Sequence, residues 1–136
     1  MSPKLGERRF DRKYSLILIN IAKDDHFAAT ALGKNSKVRK ETALFLAQQC
    51  IEKSLKAVLC HLGRPVPLVH DVGALIAKMP DDVEPPYGYQ LTRFNDYAGI
   101  LRYENGGEKL TSKDVKEALA IAEKVYKWAS QKISKK

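Results

Sequence analysis

Apolar residues return every three or four positions through five stretches of the chain. That spacing predicts amphipathic helices, and no stretch shows the strict alternation of a half-buried strand. The first helix is expected over residues 10–32, with Phe10, Tyr14, Ile17, Ile21, Asp24, Ala28 and Ala31 on one stripe. Gly33 and Asn35, which tolerate left-handed backbone, end it. The second covers residues 37–62 and buries Leu44, Ala47, Ile51, Leu55, Val58 and Leu62, stopping at Gly63 ahead of Pro65 and Pro67. A short third helix spans residues 71–78 and ends at Pro80.

The fourth helix is expected over residues 89–103, turning Leu91, Phe94, Ala98 and Leu101 to the core until Asn105-Gly106-Gly107 breaks it. Thr111, with Asp114 three residues on, has the form of a capping box. The helix it opens carries Val115, Leu119, Ala122, Val125, Ala129 and Ile133 on one side. Short connections between long helices favour antiparallel neighbours. The fold class expected is all-α, an up-and-down bundle of four to five helices forming one domain over residues 1–136, with short basic ends. The acidic, proline-containing residues 81–86 read as a turn inside that domain.

The second helix also has a wet side. Gln49, Glu52, Lys53 and Lys56 fall there, spaced so that amide, carboxylate and ammonium groups meet across single turns. His70-Asp71 follows at the mouth of the third helix. The pair could project into a cleft, histidine being the side chain that changes charge near neutrality. It could equally cap the free amides of the helix start, and spacing alone favours the cap.

Arg102-Tyr103 closes the fourth helix. Arginine there complements the negative helix end, while a guanidinium beside a phenol also suits a phosphate with a stacked base. Asp24 stands on an apolar stripe, where an unpaired carboxylate is costly. Either it pairs with a cation such as Lys53 or Arg102 while Asp25 faces outward, or the stripe is wet at that level. His26 has no metal-like neighbour at helical spacing and is expected at the surface; Trp128 is expected partly in the core.

A net charge of +8 and a pI near 9.5 favour an anionic partner. The excess gathers in Lys4, Arg8, Arg9, Arg12 and Lys13, in Lys34, Lys37, Arg39 and Lys40, and in Lys127, Lys132, Lys135 and Lys136. Ends and loops carry such runs for solubility as readily as for binding, so charge alone chooses no function. A chain of 136 residues with 44% hydrophobic content can bury a core without metal or disulfide staples. Cys50 and Cys60 fall in one helix about 15 Å apart, too far for a disulfide. They read as reduced thiols of a cytoplasmic protein.

Apolar runs such as residues 16–19 are far too short to span a membrane, and residues 1–13 are charged rather than signal-like. No Walker or Rossmann glycine pattern, Gly-x-Ser-x-Gly elbow, His-Glu-x-x-His or Glu-x-x-His motif occurs. Neither a metal nor a cofactor is therefore expected.

Together these residues resemble the HEPN family. The likeness runs from about Ala22 to Trp128. It rests on Ala22 and Asp24, then on Phe45-x-x-Gln48-Gln49-x-x-Glu52-Lys53-x-Leu55-Lys56-Ala57, His70-Asp71-x-x-x-Leu75, Arg102-Tyr103, and a last helix with Ala122 and Trp128. The resemblance implies a helical bundle, commonly dimeric, often paired with a minimal nucleotidyltransferase in toxin–antitoxin modules. It implies a nucleotide- or RNA-binding site at Asp24, Gln49, Glu52, Lys53, Lys56, His70, Asp71, Arg102 and Tyr103.

Ribonucleases of the family use Arg-x(4–6)-His. Here Arg102 is followed at those offsets by Gly107, Glu108 and Lys109, and no later histidine exists. Cleavage would need another proton-transfer group. The reading is a nucleotide-binding subunit with no catalytic residue assigned; the alternatives are a metal-independent ribonuclease toxin and a purely scaffolding dimer.

Overall fold

A computed structural model describes residues 3–97 and 110–134. Helix α1 (Tyr14–Gly33) leads through the loop 34–39 into α2 (Lys40–His61), and the two pack along their lengths. After α3 (Val72–Ala77) and a 3-10 segment (Gly88–Tyr97), α4 (Ser112–Ser134) lies against both α1 and α2. The chain is a bundle of packed helices, as its periodicity predicts. A Cβ on Gly33 would come within 3.0 Å of Val115 Cγ1, so glycine permits the close approach of α1 to the first turns of α4.

Helix α2 is the central rod. Leu44, Ala47, Ile51, Leu55 and Val58 are buried, as their spacing requires, whereas Leu62 is exposed at the helix end. They meet Val115, Ile121, Ala122, Val125 and Ala129 of α4 in one core. Thr111 and Asp114 form the capping box: Asp114 N–H donates to Thr111 Oγ1 (3.2 Å) and Thr111 N–H to Asp114 Oδ2 (2.8 Å).

Three expectations are corrected. The buried line of α1 is Ser15, Ile19, Ala22 and Ala29, while Ile17 and Ile21 face solvent. Residues 16–19 are all apolar, so two stripes share helical spacing, and the one with smaller residues fits closest to α2. Strands also exist: β1 (Glu7–Arg8) pairs antiparallel with β2 (Val66–Pro67), too short to show alternation in sequence. Lys78 reaches Glu7, and Cys60 Sγ donates to the Asp11 carbonyl at 3.2 Å, so the leading segment is fastened to the bundle.

The expected fourth α-helix is 3-10 over its described part. Pro85 and Pro86 supply no N–H, and Tyr87 and Gly88 take φ values of 68° and 50°. Its entry bonds, Gly88 N–H to Pro85 O and Gln90 N–H to Tyr87 O, therefore span three residues. Leu91 and Phe94 still point inward.

Candidate functional site

The polar face of α2 is built around Glu52, whose side chain is 0% exposed. Residues four apart on a helix stack over one another, so Gln48 and Lys56 flank Glu52 on one line and Gln49 and Lys53 share the next. Glu52 Oε1 accepts from Lys56 Nζ (2.7 Å) and His70 Nδ1 (2.9 Å), and Oε2 accepts from Gln48 Nε2 (2.9 Å). Gln48 Oε1 in turn accepts from Gln49 Nε2 (2.7 Å), and Gln49 Oε1 from Lys53 Nζ (2.8 Å). Every donor in this series points toward the buried carboxylate, so each bond polarises the next.

The charges agree with that arrangement. Burial pushes the Glu52 carboxyl up, but the hydrogen bond and charge of Lys56, joined by Gln48 and His70, prevail and hold it below its ordinary 4.5. Asp25 of α1 goes the other way: burial and the neighbouring Asp24 and Glu52 charges raise it against the pull of Lys53. Buried Cys50 is pushed up to about 12, first by desolvation, and is an inert thiol.

A carboxyl lowered on folding stabilises the fold above its unfolded pKa, and that stabilisation is lost as pH falls through the folded value. The Glu52 contribution should thus be complete at neutral pH and decline below about 4.5. Urea midpoints followed from pH 7 downward should fall more steeply for the native chain than for Glu52→Gln. Parallel curves would deny Glu52 that role.

Gln49, Glu52, Lys53, Lys56 and His70 are thus brought together. Asp71 is not in the network; its Oδ1 accepts from the Gly73 and Ala74 amides (2.9 and 3.4 Å) as the cap of α3, and from Asn95 Nδ2 (3.1 Å). Of the two expectations for Asp24, the wet stripe is the one the fold matches. Asp24 lies exposed, and Asp25 is the acidic residue turned toward Lys53 and Glu52, because α1 rotates its Ala22 side inward. His26 is half-buried rather than at the surface, its Nε2 3.3 Å from the Leu119 carbonyl. Arg102 and Tyr103 lie outside the described residues.

Sequence reasoning left Gln48, Asp25 and Asn95 out of the site. Gln48 carried a usable signal, its place four residues before Glu52. Asn95 carried none, because its bonds to Asp71 and to the Val72 amide (2.9 Å) cross more than twenty residues.

Among the described residues no group of three or more His, Cys, Asp or Glu side chains is placed to hold a metal. Nor is any described helix long and apolar enough to cross a membrane. The HEPN domain pattern matches residues 15–133, which takes in α2, α3, all but the outermost residue of α1 and of α4, and the whole network around Glu52. The chain belongs to the HEPN family.

Two solved structures share the fold of this HEPN chain. The crystal structure of TT1696 from Thermus thermophilus superposes with a TM-score of 0.71 at 24% identity, covering 88% of this chain and 98% of that one. The structure of ST0689, an archaeal HEPN homologue, gives a TM-score of 0.65 at 23% identity with the same coverage of both chains. No curated protein matches.

Proposed function

We propose that this HEPN domain is a nucleotide-binding subunit that acts with a minimal nucleotidyltransferase-like partner, in the manner of a toxin–antitoxin pair. The observation that carries the reading is the wholly buried Glu52 holding two cation-forming side chains, Lys56 and His70, at the edge of the bundle. Burying a carboxylate is expensive, and a well-packed apolar residue would serve stability as well. His70 is 69% exposed and commits only Nδ1 to Glu52, which leaves Nε2 for a ligand. Lys56, Lys53 and Arg102 take the phosphates, Tyr103 stacks on the base, and Glu52 with Asp25 holds the cations in place.

Titration with ATP, GTP and short RNA tests this. Binding is expected, and Arg102→Ala or Lys56→Ala should weaken it about tenfold or more, the worth of one charge-assisted contact. Circular dichroism should show the Arg102→Ala chain still folded. No binding at millimolar ligand overturns the proposal.

Self-association accompanies the reading. Tyr14, Ile17 and Ile21 form an exposed apolar stripe on α1, which a second copy would cover. The ribonuclease alternative lacks its histidine, since His26, His61 and His70 all precede Arg102. Faster decay of cellular RNA with the native chain than with Arg102→Ala would nevertheless restore it.

A further inference from the structure

The second basic cluster of the sequence is not absorbed by the Glu52 site. Residues 34–40 hold Lys34, Lys37, Arg39 and Lys40, and they sit where the end of α1 meets the starts of α2 and α4. A cavity of about 180 Å³ opens there, and its polar lining is Lys34, Asn35, Ser36, Lys40 and Ser112. Among the described residues no carboxylate lines it. The acids on the adjoining first turns are already engaged, Glu41 with Arg39 at 3.0 Å and Asp114 with Thr111.

The backbone adds to the imbalance. Arg39 holds the cap position of α2 without a side-chain capping bond, so the opening amides of that helix find no acceptor in its cap residue's side chain. At the carbonyl end of α1, Leu32 O accepts from both the Lys34 and the Asn35 amides (the latter at 3.1 Å), so the charge that favours an anion here comes from the lysines. Asn35 Oδ1 accepts from the Lys37 amide (2.9 Å), so the donor of that side chain is its NH2. The polar side chains of the lining thus offer ammonium, hydroxyl and amide donors and no anionic group, which suits a multivalent oxyanion.

We propose that this cleft is a second anion site, one that holds a phosphate group. Lys40 lies twelve residues before Glu52, about 18 Å along α2, so the two sites cannot share one phosphate. The group could be the phosphate of a free nucleotide or a backbone phosphate of an RNA strand reaching both places. Lys34 and Lys40 supply the charge, Ser36 and Ser112 the directional donors.

Titration of the full chain with inorganic phosphate, followed by amide chemical shifts with chloride as control, reads the cleft directly. Saturable shifts at Lys40, Glu41 and Ser112 are expected, with affinity lowered about tenfold or more by Lys34→Glu/Lys40→Glu. The milder Lys34→Gln/Lys40→Gln pair should show the same direction and guards against a folding defect. Lys56→Ala, which strikes the α2 face, should leave these particular shifts in place, so failure of one site is distinguishable from failure of the other.

Competition then identifies the source. With a short single-stranded RNA, the slope of log affinity against log salt should fall by about 0.7 for each phosphate that the double variant no longer engages. With free nucleotide as the source, ATP displaces inorganic phosphate and RNA does not. Shifts that never saturate, or equal phosphate affinity in native and Lys34→Glu/Lys40→Glu chains, would falsify the second site.

Discussion

Glu52→Gln should lower the unfolding free energy by about 3 kcal/mol, the lower end of the loss from breaking one half of a buried ion pair. Geometry makes this near-isosteric change severe. Gln48 Nε2, Lys56 Nζ and His70 Nδ1 are all donors aimed at two carboxylate oxygens. An amide offers one acceptor and turns two hydrogens of its own toward the remaining donors, which also strands a buried Gln48. Lys56 is 15% exposed and keeps some access to water, which places the loss at the lower end of the range.

Urea unfolding followed by circular dichroism measures it, as a reduced midpoint with an unchanged slope. The companion variant Glu52→Leu/Lys56→Met removes both charges and should recover part of the stability, Gln48 still lacking its acceptor, while abolishing the proposed nucleotide binding. That pairing separates structural worth from functional worth. A Glu52→Gln chain within about 0.5 kcal/mol of native stability would mean that the network is solvated and places nothing.

How far the sequence revealed these features depended on how local their causes are. Asp71 and the Thr111–Asp114 box could be read because a cap is settled within four residues. The wet face of α2 could be read for the same reason, since Gln49, Glu52, Lys53 and Lys56 meet across single turns. The inward face of α1 could not. Its largest apolar residues lie on both stripes, and packing on α2 selected Ser15, Ala22 and Ala29, whose small size lets the helices approach. From that rotation follows the exchange of Asp24 for Asp25 beside Lys53. The bond of His70 to Glu52 and those of Asn95 to the start of α3 depend on chain segments that only the assembled bundle brings together.

Phe94→Ala carries the other large effect, about 3–5 kcal/mol at the site of the lost ring. Phe94 is 2% exposed and shares a small cavity wall with Leu44 of α2 and Ala118 of α4, so the 3-10 segment is held to the bundle chiefly through this ring and Leu91. Its neighbour Asn95 then pins the start of α3 from two sides, accepting from the Val72 amide and donating to Asp71. The 3-10 segment packs on α3 and α2, whereas α1, α2 and α4 share far more extensive surfaces with one another. The damage should therefore appear first as local opening. Hydrogen exchange is expected to lose protection at the Val72, Leu75 and Gln90 amides while amides within α1, α2 and α4 remain protected. Because residue 70 directly precedes the α3 cap, the His70–Glu52 bond should loosen in the same step, and nucleotide affinity should fall although no ligand-contacting side chain has been touched. Native protection at Val72 in the Phe94→Ala chain would show that α3 is held without the 3-10 segment.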